Sequence, residues 1–244
     1  MKVLALYDIH GNVEALEAVL ADSSAAAPDA IVVGGDAVPG PFARAVLDRL
    51  DALSGPIYYI RGNGERETAE AAAATSPPAE DDLAGVTAAI TASELGADRA
   101  RALGGLPLIV KLDGVLYCHA TPRADAEMVT RASTPARFAE VLAGVDARVV
   151  IAGHTHQQDD RKVGTVRFVN AGSVGLPYEG DGAARWVWVI DGTPELRSTA
   201  YDAKAAGTRI LTAGWPDERS VRGALVDPVA PTFVTELFEQ RVRD

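Results

Sequence analysis

The sequence predicts an α/β fold, and three observations predict it. Short β-branched and aliphatic runs lie at residues 3–7, 31–35, 57–60, 115–118 and 149–153; apolar residues at helical spacing fill the stretches between most of them; and each run stops abruptly at polar residues or glycine. Strand followed by helix followed by strand implies parallel pairing through right-handed crossovers. In such sheets ligands gather beyond the carboxyl ends of the strands, so the residues that follow each run are where chemistry is expected.

The first run stops at Asp8-Ile9-His10-Gly11-Asn12. Side chains two apart on a strand share a face, which is expected to bring Asp8 and His10 together at its end. Asn12 is placed to cap a helix over residues 13–21, where Val13, Leu16, Val19 and Leu20 fall at helical spacing, and is also a candidate substrate contact. The second run ends at Asp36. Gly34-Gly35-Asp36 sits between strand and helix as a dinucleotide-binding loop does, but the spacing Gly-x-Gly-x-x-Gly is absent and Pro39 and Pro41 interrupt the loop. Small residues before Asp36 are instead expected to let the backbone approach a metal centre. A helix follows over about 42–53, with Phe42, Val46, Leu47 and Leu50 as its stripe.

Residues 57–60 run into Arg61-Gly62-Asn63, and a helix-prone stretch over 65–74 is broken by prolines and acidic residues, where a lid or flexible segment over 75–84 is expected. A helix over 84–103 precedes strands at 108–112 and 115–118, joined by the hairpin signal Asp113-Gly114. His119 follows at once. Its neighbour Cys118 should face the core, which argues against a nucleophilic thiol. Arg123, in the next loop, is a candidate substrate contact that either binds a phosphate oxygen through its planar fork or simply covers surface. A helix over 135–143 leads to the strand that opens onto His154-Thr155-His156. Segments at 166–169, 185–190 and 195–200 suggest a second, largely antiparallel sheet, with a tight turn at 170–175. Beyond Tyr201 the pattern weakens to a C-terminal extension ending in a helix over about 233–242, and residues 1–244 are expected to form one domain.

The formal net charge of -11 and the lack of a Lys/Arg cluster argue against a long nucleic acid as partner, while small anions remain open because bound cations supply local positive charge. No run approaches a membrane span of roughly 18–20 residues, no signal segment precedes the first strand, and a single cysteine suits a reducing compartment; the expectation is a cytoplasmic protein. Self-association stays open.

All 4 histidines stand at strand ends, beside Asp8, Asp36 and Asn63, a distribution that favours metal ligation over surface or packing roles. Asp8-x-His10, Gly35-Asp36, Gly62-Asn63, His119 and Gly153-His154-x-His156 resemble, in order and spacing, the motifs of the calcineurin-like metallophosphoesterase superfamily, in particular its small bacterial and archaeal phosphodiesterase-like branch. Residues 118–123 and 170–175 also look like that branch. The resemblance implies a two-sheet α/β sandwich flanked by helices. It implies two divalent transition-metal ions, Mn, Fe, Ni or Zn, one held by Asp8, His10 and His156, the other by Asn63, His119 and His154, with Asp36 bridging. Asp36, Asn63 and His119 would stand nearest the chemistry, hydrolysis of a small phosphodiester by a metal-bridging hydroxide, with no side-chain nucleophile. Alternatives are a phosphomonoesterase, or a metal-binding scaffold or sensor without turnover. One departure stands out: where much of the superfamily has histidine after the Gly-Asn motif, this chain has Gly64, which leaves Glu65, Arg123 or a metal-bound water as candidate proton donors to the leaving group.

Overall fold

The computed structural model describes residues 1–22 and 27–243. Two five-stranded mixed sheets face one another, with helices on their outer faces. In the first sheet, β1 (Lys2–Leu6), β2 (Ala30–Val33) and β3 (Ile57–Tyr59) run parallel, and β9 (Ala184–Ile190) and β10 (Thr193–Thr199) extend it antiparallel from β1, in the order β10-β9-β1-β2-β3. The second sheet has the order β4-β5-β6-β8-β7, built from β4 (Ile109–Leu112), β5 (Val115–Cys118), β6 (Val149–Ala152), β7 (Gln158–Val163) and β8 (Val166–Ala171). The expected antiparallel sheet of three late segments is therefore divided. The segment at 166–169 joins the second sheet as β8, parallel to β6, while the other two complete the first sheet.

Strand alternation sorts the core. Val3 and Ala5 on β1 and Tyr7 just past its end point between the sheets, whereas Leu4 and Leu6 pack under α1 (Val13–Ala21) and α2 (Ala43–Asp51). On β5, Val115 and Tyr117 point between the sheets, whereas Leu116 and Cys118 pack with Phe138 and Val141 of α6 (Pro135–Val141). Tyr7 joins the sheets by donating its hydroxyl to the Ile151 carbonyl at 3.0 Å. That bond ties the end of β1 to the end of β6, the two strands that lead to Asp8 and His154.

The long helix expected after the prolines is two helices, α4 (Leu83–Leu95) and α5 (Ala97–Leu103), because Gly96 between them turns to φ 84°. The preceding α3 (Asn63–Ala73) packs against both. Asp113 and Gly114 take φ 50° and 77°, the two positive values that a tight hairpin needs. Strand β7 has no apolar alternation to announce it: its sequence is Gln-Asp-Asp-Arg-Lys-Val, the charged composition of a sheet edge. The C-terminal segment folds into α7 (Ala203–Thr212), α8 (Glu218–Val221), a π-helical turn (Arg222–Val226) and α9 (Pro231–Arg243). Ile210, Trp215, Val221 and Leu225 form its own small core, against which Phe42, Leu176 and Tyr178 pack. No described helix is long and apolar enough to cross a membrane.

Candidate metal centre

The strand ends bring the expected ligands together. Asp8, His10 and His156 form one group, Asp36, His119 and His154 another, and within each group one donor atom from every residue lies within 4.8 Å of the others. Asp36 spans the two: its Oδ2 is 3.8 Å from His10 Nε2 and its Oδ1 is 3.5 Å from His119 Nε2. Asp8 Oδ1 lies 3.4 Å from His156 Nε2 and 3.9 Å from the Nε2 atoms of His10 and His119. Asn63 opens α3 at the edge of the same cleft, its Nδ2 donating to Glu67 at 3.4 Å and leaving Oδ1 buried.

Strand alternation is not what aligns Asp8 with His10. β1 ends at Leu6, and both residues lie beyond it at φ 52° and 46°. Asp36, His154 and His156 also have positive φ, at 50°, 69° and 57°. Each left-handed non-glycine residue costs about 1–2 kcal/mol, so the surroundings must determine the backbone strongly. They do: Asp8 N–H donates to Gly35 at 3.1 Å, His10 N–H to Asp36 at 3.0 Å and His154 N–H to Asp8 Oδ2 at 2.9 Å. The Asp8 carbonyl accepts from Ser173 Oγ at 2.7 Å and Gly175 N–H at 3.0 Å, which gives the turn at 170–175 its task.

Backbone carbonyls also fix the imidazoles. The Nδ1–H groups of His10, His119 and His156 donate to Pro39, Gly34 and Leu176 at 3.2, 3.1 and 2.8 Å, which turns each Nε2 inward, those of His10 and His156 to within 3.2 Å of each other. Asp8 Oδ1, Asn63 Oδ1, His119 Nε2 and His154 Nε2 are buried without a hydrogen-bond partner among the described residues. Burial lowers His154, helped by the charge of His119, to about 4. Burial also pulls His119 down, but Asp36, Asp8 and Glu65 outweigh it and hold His119 at about 10. Burial lowers His156, but Asp8, the Leu176 carbonyl and Asp36 together outweigh it and raise it. Asp8 and Asp36, which burial alone would raise, are kept below the usual carboxylate range by the imidazolium charges. Two buried carboxylates thus call for positive charge at this centre, which divalent cations would supply. Orphaned donors, inward Nε2 atoms and a shared carboxylate all fit a pair of metal ions.

Glu65 holds the second loop. Its buried carboxylate accepts from the N–H groups of Asp36 and Gly62 at 2.8 Å, Ala37 at 2.9 Å and Val38 at 3.4 Å, while burial and the negative charge of Asp36 push its carboxyl up to about 7. With its oxygens so engaged, it has no free group for a leaving oxygen. Position 64 has no room for a side chain: a Cβ there would stand 2.1 Å from the Val38 carbonyl oxygen, 2.5 Å from Pro39 and 2.9 Å from Asp36 Oδ1, to which Gly64 N–H donates at 2.8 Å. The reason is close approach, since Gly64 is not among the residues of positive φ.

The two candidate substrate contacts lie elsewhere. Asn12 is fully buried and committed: Oδ1 caps α1 at Ala15 N–H, and Nδ2 donates to the Gly175 carbonyl at 2.8 Å and to Tyr201 Oη at 3.0 Å. Arg123 is bound to Glu127 and Glu140, at 2.6 and 2.8 Å, and is not among the residues that line the cleft. The structure adds residues that the sequence pattern passed over. Tyr178 stacks on His156 with ring centroids 5.3 Å apart, and Phe238 and Arg241 of α9 line the cleft with it. The apolar spacing Phe233, Val234, Leu237, Phe238 was the available signal for that wall.

Residues 1–191 match the sequence model of the calcineurin-like phosphoesterase superfamily domain. A metallophosphoesterase from Sphaerobacter thermophilus shares the fold at a TM-score of 0.73 and 22% identity, over 94% of this chain and 99% of its own. A hypothetical protein from Pyrococcus horikoshii OT3 does so at 0.76 and 19%, over the same shares. No curated protein matches the chain significantly by sequence.

Proposed function

This chain belongs to the calcineurin-like phosphoesterase superfamily, and on that premise we propose that it is a phosphodiesterase acting on small substrates, with Asp8, His10 and His156 holding one divalent transition-metal ion, Asn63, His119 and His154 the other, and Asp36 both. The observation that supports this most is the set of buried, partnerless donors that face one another across Asp36. When bound, such a pair of ions supplies Lewis acidity toward phosphoryl oxygens and a water activated near neutral pH. The chain's part is to hold its donor atoms rigidly: carbonyls orient three imidazoles, Glu65 fixes the Asp36 loop, and the Asn63 amide is set by Glu67.

A diester is favoured over a monoester by charge and by the filled space at Gly64. A monoester dianion gains from further cationic or imidazole contacts beside the metals, and here the position that would supply one is occupied by the Val38 carbonyl. Glu65 and Arg123, the two candidate side-chain donors to the leaving oxygen, are both engaged, so good leaving groups should be strongly preferred. The test compares aryl diesters of graded leaving-group pKa, matching monoesters, and DNA and RNA, using chelated protein before and after addition of Mn, Zn, Fe or Ni. Metal-restored turnover of diesters that slows steeply as leaving-group pKa rises is the expected result. Full activity in chelated protein, or preference for the polymers, would overturn the reading.

A further inference from the structure

A cleft of about 490 Å³, the size of a small-ligand site, opens from the metal centre and shares His10, Asp36 and Asn63 with it. An ester placed against those ligands has a substituent in that space. The C-terminal helices wall it with apolar and aromatic groups: Phe233, Leu237 and Phe238 of α9, joined by Leu83 from the start of α4. Phe233 is 50% exposed and Leu83 44%, unusual for large apolar side chains in this protein. The wall is fastened close to the centre, since the Gln157 amide, next to His156, donates to the Pro231 carbonyl at 2.8 Å and accepts from Thr235 Oγ1 at 2.8 Å. Aromatic surface is continuous from ligand to wall: His156 stacks on Tyr178, and Tyr178 meets Phe238 edge-on at 6.1 Å. Arg241 borders the cleft with its guanidinium 5.8 Å from the Phe238 ring and has no ion pair or hydrogen bond among the described residues, a cation at the cleft of an acidic protein.

Deepening the phosphodiesterase reading on which it rests, we propose that α9 forms the leaving-group subsite, and that it selects phosphodiesters whose departing alcohol is aromatic or otherwise broadly apolar. Phe233 is its specificity-determining residue, because its exposed half is the apolar area that such an alcohol would cover. Leu83 serves the same purpose from α4, and Arg241 draws the anionic ester toward the cleft.

The test uses the full-length, manganese-loaded protein and two inert phosphinates that mimic a diester anion: dimethylphosphinate and methyl(naphthylmethyl)phosphinate, with binding measured by calorimetry. The naphthyl compound should bind about tenfold more tightly, and Phe233→Ala should remove most of that advantage while leaving dimethylphosphinate affinity within about twofold. Leu83→Ala, on a different element, should act in the same direction. In parallel, kcat/KM is compared for diesters of phenols and naphthols matched in pKa, where Phe233→Ala should lower the naphthyl value about tenfold and the phenyl value less. Equal affinity for the two phosphinates in the wild type, or equal losses in Phe233→Ala, would overturn the subsite. Selective phosphinate binding without turnover of any diester would sustain the subsite and overturn the phosphodiesterase reading.

Discussion

The metal centre and the cleft wall beside it are held by different means. Around the centre the backbone itself is constrained: Asp8, His10, Asp36, His154 and His156 all sit at positive φ, pinned by hydrogen bonds from three separate loops. The wall is ordinary helix, and only its side chains face the cleft. A change in the first region propagates, because several residues share each constraint. A change in the second should stay where it is made, altering which substrate fits and little else.

Removing the shared anion tests the contrast most severely. Asp36→Asn keeps the shape but takes away the charge that faces His10 on one side and His119 on the other. Two close cations would then be less well screened from one another. Metal content should fall and turnover should drop about a thousandfold or more, a loss of several kcal/mol of transition-state stabilisation. Elemental analysis beside kinetics checks this; near-normal metal content with normal turnover would break the picture of a bridging carboxylate.

Glu65→Gln asks whether constraint one step behind the ligands matters as much. Glutamine offers one acceptor oxygen where the carboxylate offers two, so the N–H groups of Asp36, Ala37, Val38 and Gly62 cannot all keep their partner. Loss of such an outer support lowers metal affinity or activity by about 10- to 100-fold. Titrating the apo variant with metal reads the first quantity directly. An affinity unchanged from the wild type would mean that the loop is held elsewhere, and the contrast between the two regions would blur.

The same contrast explains what the sequence could disclose. Aspartate, histidine and asparagine at the ends of apolar runs are few and chemically specific, so their convergence was legible although the stated reason for Asp8 and His10, strand alternation, was not the one that operates. Left-handed backbone at non-glycine residues has no one-dimensional signature. Strand β8 was visible but its sheet was not, since pairing with β6 is a long-range choice. β7 was hidden by its charged edge, and α7 by a glycine in its middle. The wall at Phe233 and Phe238 carried an apolar pattern indistinguishable from packing. Gly64 read as a missing histidine, whereas the space is taken by the Val38 carbonyl.

Two arginines give the smallest and sharpest comparison. Arg123 follows the His119 strand and has the geometry to bind a phosphate oxygen, yet its guanidinium is spent on Glu127 and Glu140. Arg241 lies far along the chain in a weakly patterned helix, and it is the one that borders the cleft. Arg123→Ala should therefore leave kcat/KM for diesters within about twofold, as surface substitutions usually do. What it should change is stability, and only in part of the pH range. The hydrogen bond from Arg123 comes first among the causes that lower the Glu127 carboxyl to about 2, ahead of burial, which opposes it, and of Thr121 and Arg137, which assist. A carboxyl lowered on folding contributes stability that is present in full above its unfolded value, near pH 4.5, and is lost as pH falls through about 2. Thermal unfolding of wild type and Arg123→Ala should accordingly differ most near neutral pH and converge toward pH 2. A tenfold loss of kcat/KM with an unchanged melting temperature would put Arg123 back beside the substrate and make its pairing with Glu127 incidental.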